Sequence, residues 1–159
     1  MDIIMNRLNI DKYRNSKNPI LRVYFKYLNN KLMNATKKIV EEYDICELLV
    51  EYITILDRLN NIGFISISDI KHINHTYKWY SLKFTEDNVY LIVEVSYPDK
   101  SVHIIRTEKD GEKTMTKYFG LNAYSGYNTE MDKIRKSTEE IIRKHIDNNL
   151  AVILKELKV

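Results

Sequence analysis

The sequence predicts an α+β domain with two N-terminal helices, an antiparallel meander of four to five strands and a long C-terminal helix. Three observations predict it. Apolar residues recur at helical spacing up to about residue 63, alternate from there to 119, and return to helical spacing after 129. Only four Gly and two Pro interrupt the 159 residues, which argues for regular elements and tight connections. Hydrophobic residues at 44 % and charged residues at 30 % are ordinary globular usage, enough apolar content to bury a core. At this length a single domain, 1–159, is expected, with a helical part (1–63), a sheet (64–119) and a loop with its helix (120–159).

Asn18-Pro19 reads as an N-cap followed by Pro at the first helical position, where its missing N–H costs nothing. The stripe Leu21, Phe25, Leu28, Leu32, Ala35 and Ile39 carries that helix to about residue 42. Asp44 with Glu47 resembles a capping box that opens a second helix, and Gly63 suits its C-terminal stop. Phe64 to Ser68 reads as a short strand, and Ser68-Asp69 as the cap of a single helical turn running to His72. Strands are expected from Trp79 to Thr85 and from Val89 to Tyr97. A third contains Val102, Ile104 and Arg106 on one face, and a last runs from Glu112 to Phe119. Glu86-Asp87-Asn88, Pro98-Asp99-Lys100 and the Asp110-Gly111 signal supply the turns, so the strands form a meander with one face packed on helices. Thr129 and Asp132 read as an N-cap and its N3 partner for a helix from about 130 to 158, roughly 43 Å long at 1.5 Å per residue.

The formal charge is only +3, but its distribution is uneven. Residues 1–38 carry nine Lys/Arg against two acids, net +7, whereas residues 39–70 carry seven acids against Arg58, net −6. A basic N-terminal region beside an acidic patch follows, unless the two neutralise each other within one fold. The single cysteine, Cys46, lies on the apolar stripe of the second helix and reads as inert packing. With one thiol, no leader-like N-terminus and no apolar run of membrane-spanning length, a cytoplasmic location without membrane attachment is expected.

Enzymatic motifs are missing: there is no Gly-rich phosphate loop, no Gly-x-Ser-x-Gly elbow and no Cys/His set at metal spacing. His72 and His75 on a helical turn would share a side, but a metal needs further ligands and only Asp69 is near. The reading is therefore a non-enzymatic protein with no catalytic residues, no metal site and no cofactor.

Phosphate binding needs clustered cations, and single-strand binding needs aromatic faces near them. Arg7, Arg14, Arg22, Lys26, Lys31, Lys37 and Lys38 supply the first, interleaved with Tyr13, Tyr24 and Tyr27. The alternative is that Tyr24 and Tyr27 flank the buried stripe and the cations form its wet face. A second cluster is the outer sheet face, where Trp79, Lys83, Tyr90, Ile92, His103, Ile105 and Thr107 alternate with the inward residues. Helices on both sides of the sheet would instead bury this set. Strands followed by a long helix resemble, in order and length, the layout of PUR-type and Whirly-type single-strand-binding modules; no motif of those families maps onto residues here.

A second reading rests on the Tyr/Gly/Asn loop from 118 to 128, whose Tyr118, Tyr124 and Tyr127 have the composition of a protein-binding paratope. The expected function is thus macromolecule binding, to nucleic acid or a nucleoprotein complex through the basic N-terminal segment. The alternative is a phage- or mobile-element-type inhibitor, adaptor or immunity protein, a class to which AT-rich residue usage with 12 Tyr also points. A homodimer through Leu150, Ile153, Leu154 and Leu157 of the C-terminal helix is a further possibility.

Overall fold

The computed structural model describes residues 34, 36–61, 71–72, 78–97, 99–122 and 126–156. It has the expected α+β order: helical residues 36–42, helix α1 (Ile45–Asn61), a five-stranded sheet and helix α2 (Thr129–Glu156). The N-terminal helix start at Asn18-Pro19, the strand expected at 64–68 and the stop at Gly63 lie outside the described residues.

Asp44 caps α1. Its Oδ2 accepts the Cys46 N–H at 3.2 Å, and its carbonyl accepts the Leu48 N–H at 2.8 Å. Glu47, expected to reach back in a capping box, instead faces Lys100 at 3.7 Å across an exposed ion pair that adds little stability. Ile45, Cys46, Leu48, Leu49, Tyr52, Ile53, Ile55 and Leu56 are all buried, a face too broad for a surface helix, and α1 packs against the third strand of the sheet.

The strands are β1 (Lys71–His72), β2 (Lys78–Glu86), β3 (Val89–Tyr97), β4 (Ser101–Asp110) and β5 (Lys113–Gly120). They pair antiparallel in chain order, β1-β2-β3-β4-β5. Lys71 and His72 are extended, opposite Ser81 and Tyr80, so the helical turn expected to end at His72 is not formed there. Pairing with β2 gives these backbone groups the partners that an isolated turn would lack.

The tight turns fix the register. Asp87 and Asn88 take φ of 52° and 64° between the paired Glu86 and Val89, the left-handed geometry of a type I′ turn. At the other hairpin Asp110 pairs with Lys113, so the two loop residues are Gly111 and Glu112, one position later than the Asp-Gly signal implies. Gly111 carries the positive φ, 62°, at the first central position, where a side chain would meet open space but a strained backbone. Leu82, Phe84, Val89, Leu91, Val93, Val95, Val102, Ile104 and Phe119 then all fall on one face and are buried.

Asn128, rather than Thr129, is the N-cap of α2: its Oδ1 accepts the Met131 N–H at 3.1 Å and its carbonyl the Asp132 N–H at 3.0 Å. An amide oxygen one residue upstream wins because Asp132 is committed elsewhere, accepting the Gly126 N–H at 2.9 Å and Arg135 at 2.7 Å.

The chain divides into two compact units: one is Asp44–Ile142, the other joins the described residues up to Tyr43 to those from Arg143 onward. Within the first unit two arginines of the sheet and α2 act as fasteners. Arg106 pairs with Glu108, donates to Thr138 Oγ1 at 2.7 Å, and reaches Ser137 Oγ and the Ile134 carbonyl at 3.5 Å. Arg135 donates to the Gly120 carbonyl at 3.0 Å, and the Leu121 N–H donates to Val102 O at 3.0 Å. In the second unit Arg143 donates to the carbonyls of Val40 and Tyr43 at 2.6 and 2.8 Å, serving acceptors at the end of helical residues 36–42.

Two stability outcomes follow. Asn88→Ile should lower stability by about 1–2 kcal/mol in denaturant titration because a β-branched residue resists the left-handed region, whereas Asn88→Gly should be neutral or better. Arg106→Ala, which removes charged hydrogen bonds at a side chain 11 % exposed, should cost about 1.5–3 kcal/mol by the same measurement.

Candidate binding face of the sheet

Alternation sends the other side chains of β2 to β5 to the opposite face, and the register arranges them in rows. One row across the sheet is Lys83, Ile92, Ile105 and Tyr118; the next is Thr85, Tyr90, Thr107 and Thr116; on the other side Ser81, Glu94, His103 and Gly120 align. Tyr118 is 74 % exposed and Tyr90 39 %. Thr85, His103 and Thr116 are exposed too, while Lys83, Ile92, Glu94, Ile105 and Thr107 are half-buried. Only Ser81 and Ser96 are buried among the described side chains of this face. The described side chains of this face are therefore exposed or half-buried over most of β3 to β5.

The chemistry of the face is mixed. A half-buried pair, Ile92 and Ile105, stands directly opposite across β3 and β4, with the two tyrosines on diagonal sides of it. Tyr90 and Tyr118 are separated by two strands and one register row, about 12 Å between backbones at 4.8 Å per strand and 6.8 Å per two residues. Thr107 and Thr116 share a hydroxyl hydrogen bond at 3.3 Å. His103 sits opposite Glu94 in register. Such a surface offers ring faces, hydroxyls and a few charges. It holds no nucleophile beside a base, and among the described residues no group of three or more His, Cys, Asp or Glu is placed to hold a metal ion.

Of the residues singled out in the sequence, Lys83 and His103 lie on this face, and Trp79 stands in β2 opposite Ser96. Tyr118 joins them. It belongs to β5 and not to the loop that its Tyr/Gly/Asn surroundings suggested, because the alternation Thr114, Thr116, Tyr118 runs unbroken to the end of the strand. Tyr127 does lie in the loop, almost fully exposed beside Gly126 at φ 70°, and Tyr124 lies outside the described residues. Lys37 and Lys38 are exposed in the other unit, while Arg7, Arg14, Arg22, Lys26 and Lys31 lie outside the described residues. Leu150 and Ile153 of α2 are buried within the single chain.

Two polar features escaped sequence reasoning. The Arg106–Thr138 contact joins residues 32 apart, beyond any local pattern. Glu51 is buried on the apolar side of α1, 5 % exposed, where the helical period gave only the sign that it interrupts the stripe.

No family model, curated protein or solved structure matches this chain. No helix among the described residues is long and apolar enough to cross a membrane.

The Cys46 thiol is fully buried, and burial foremost, then the Asp44 carboxylate, push its pKa up, with Lys100 opposing and Glu47 adding least. The neutral thiol is thus favoured by folding: its contribution is fully present below the ordinary thiol range and is lost as pH rises through the raised pKa. Alkylation of the native protein at pH 8 should be at least about tenfold slower than of the unfolded chain, read by mass spectrometry, and Cys46→Ala should flatten the alkaline loss of stability.

Proposed function

We propose that this chain is a non-enzymatic macromolecule-binding protein of the cytoplasm that engages single-stranded nucleic acid through this sheet face, with the basic N-terminal segment supplying phosphate contacts. The observation that carries the reading is the pair of exposed tyrosines, Tyr90 and Tyr118, on one face of an antiparallel sheet with Lys83 and His103 beside them. Every base has a ring face, so stacking on separated aromatics binds single strands without sequence readout, while cations track the backbone. A net +7 over residues 1–38 is the electrostatic complement, and Lys37 and Lys38, exposed, belong to it.

A second reading, a phage- or mobile-element-type inhibitor or adaptor acting by protein binding, is favoured by Tyr127. A tyrosine 98 % exposed beside a glycine of positive φ gives large contact area at low entropic cost.

Fluorescence anisotropy against labelled single-stranded DNA, single-stranded RNA and duplex DNA across a salt series tests the first reading. Affinity should fall linearly in log salt and favour single strands, and Tyr90→Ala and Tyr118→Ala should each weaken it by about 1–3 kcal/mol. Alanine at Arg14, Arg22, Lys26 and Lys31 should reduce the salt slope by about 1 per lost phosphate contact. No binding at low salt would sink this reading; retention of host partners by a Tyr127→Ala variant would remove the loop from the second.

A further inference from the structure

We propose that the outer edge of β5 is a strand-addition site for an extended peptide carrying two acidic residues four positions apart with an apolar residue midway between them. β5 ends the sheet order, and among the described residues no strand pairs with its far side. Residues 113–118 are all exposed, six in succession. A row of free N–H and C=O groups of this kind is a template for another strand, and most proteins blunt it with shortness, a bulge or a covering segment. Here eight residues pair with β4 in continuous register, without a bulge.

The side chains decide which partner fits. Lys113, Met115 and Lys117 point to the same face as buried Phe119, two cations flanking a thioether at alternate positions. Neither lysine is in an ion pair among the described residues. Arg106, one step inward and opposite Lys117, is already engaged by Glu108, whereas Lys113 stands in register with Asp110 without an ion pair among the described residues. On the same face a hollow is lined by Arg106, Glu108, Met115, Lys117 and Ile134.

An acid-x-apolar-x-acid spacing on the incoming strand matches this edge, because residues two apart share a face: carboxylates against Lys113 and Lys117, an apolar residue against Met115. A second copy does not match it. Antiparallel self-pairing centred on Met115 would set Lys113 of each chain opposite Lys117 of the other, and like charges in directly opposed positions are destabilising. Strand addition takes affinity from backbone hydrogen bonds and specificity from the alternate side chains, which is the division of labour these residues offer.

The test uses the full chain and two labelled octapeptides otherwise of Thr, one with Glu at positions 2 and 6 and Val at position 4, the other with Lys at positions 2 and 6 and Val at position 4. The acidic peptide should bind in anisotropy and protect amides of residues 113–120 from hydrogen exchange, and the basic peptide should not bind. Lys113→Glu with Lys117→Glu should weaken the acidic peptide at least tenfold and admit the basic one, a reversal that unfolding cannot produce. The proposal is overturned if the acidic peptide fails to bind at millimolar concentration, if protection falls elsewhere, or if the reversed variant keeps the original preference. It is equally overturned if a single-stranded oligonucleotide, and not the peptide, protects residues 113–120, because the edge lysines would then be phosphate contacts.

Discussion

A slip of one residue at the Asp87-Asn88 hairpin would turn Leu91, Val93 and Val95 to water and bring Tyr90 and Ile92 into the core, and one at the Gly111-Glu112 hairpin would turn Phe119 out and Tyr118 in. Everything else in the sheet unit depends on that not happening. Asp87 and Asn88 accept left-handed backbone at little cost, and Gly111 does so at less, so each turn closes on two residues and leaves one register. With the register set, a sheet that buries one face must offer the other, and the offered face is where tyrosine, threonine, isoleucine and lysine gather.

Arginine holds the helices at the ends of this arrangement. Arg106, Arg135 and Arg143 each donate to acceptors on a segment far along the chain: hydroxyls and a carbonyl of α2, the Gly120 carbonyl, and the last carbonyls of helical residues 36–42. A guanidinium carries five donors in a fixed plane and so satisfies several oxygens that a lysine would leave partly unmet. These three arginines are thus committed to the fold and are not free to act as contacts for a partner.

The sheet was the most legible part of the sequence. β3 runs from Val89 to Tyr97 as the alternation implies, since four inward aliphatics between two turn signals admit one interpretation. β1 was not legible, because two residues have no period and their strand state comes from pairing with β2. At α2, Asn128 and Thr129 are both capping residues, and only the geometry separates them. For the candidate face, Lys83 and His103 were legible from alternation. Tyr118 fell both in the expected strand, 112–119, and at the start of the Tyr/Gly/Asn loop, and the structure keeps it in the strand; Arg106 was hidden because its partners lie on a helix that returns 28–32 residues later.

The sheet unit, Asp44–Ile142, is one uninterrupted stretch of chain whose strands pair in the order they are made. Such local topology closes short loops one after another and belongs to the fast end of folding kinetics. On a ribosome, the meander can zip as it emerges. The other unit has the opposite character, because Arg143 meets Val40 and Tyr43 across 103 and 100 residues of sequence. Helical residues 36–42 must therefore wait for the whole sheet and the first half of α2 to be synthesised before their carbonyls find this partner, and the chain acquires its parts in an order opposite to the one in which its first half is read.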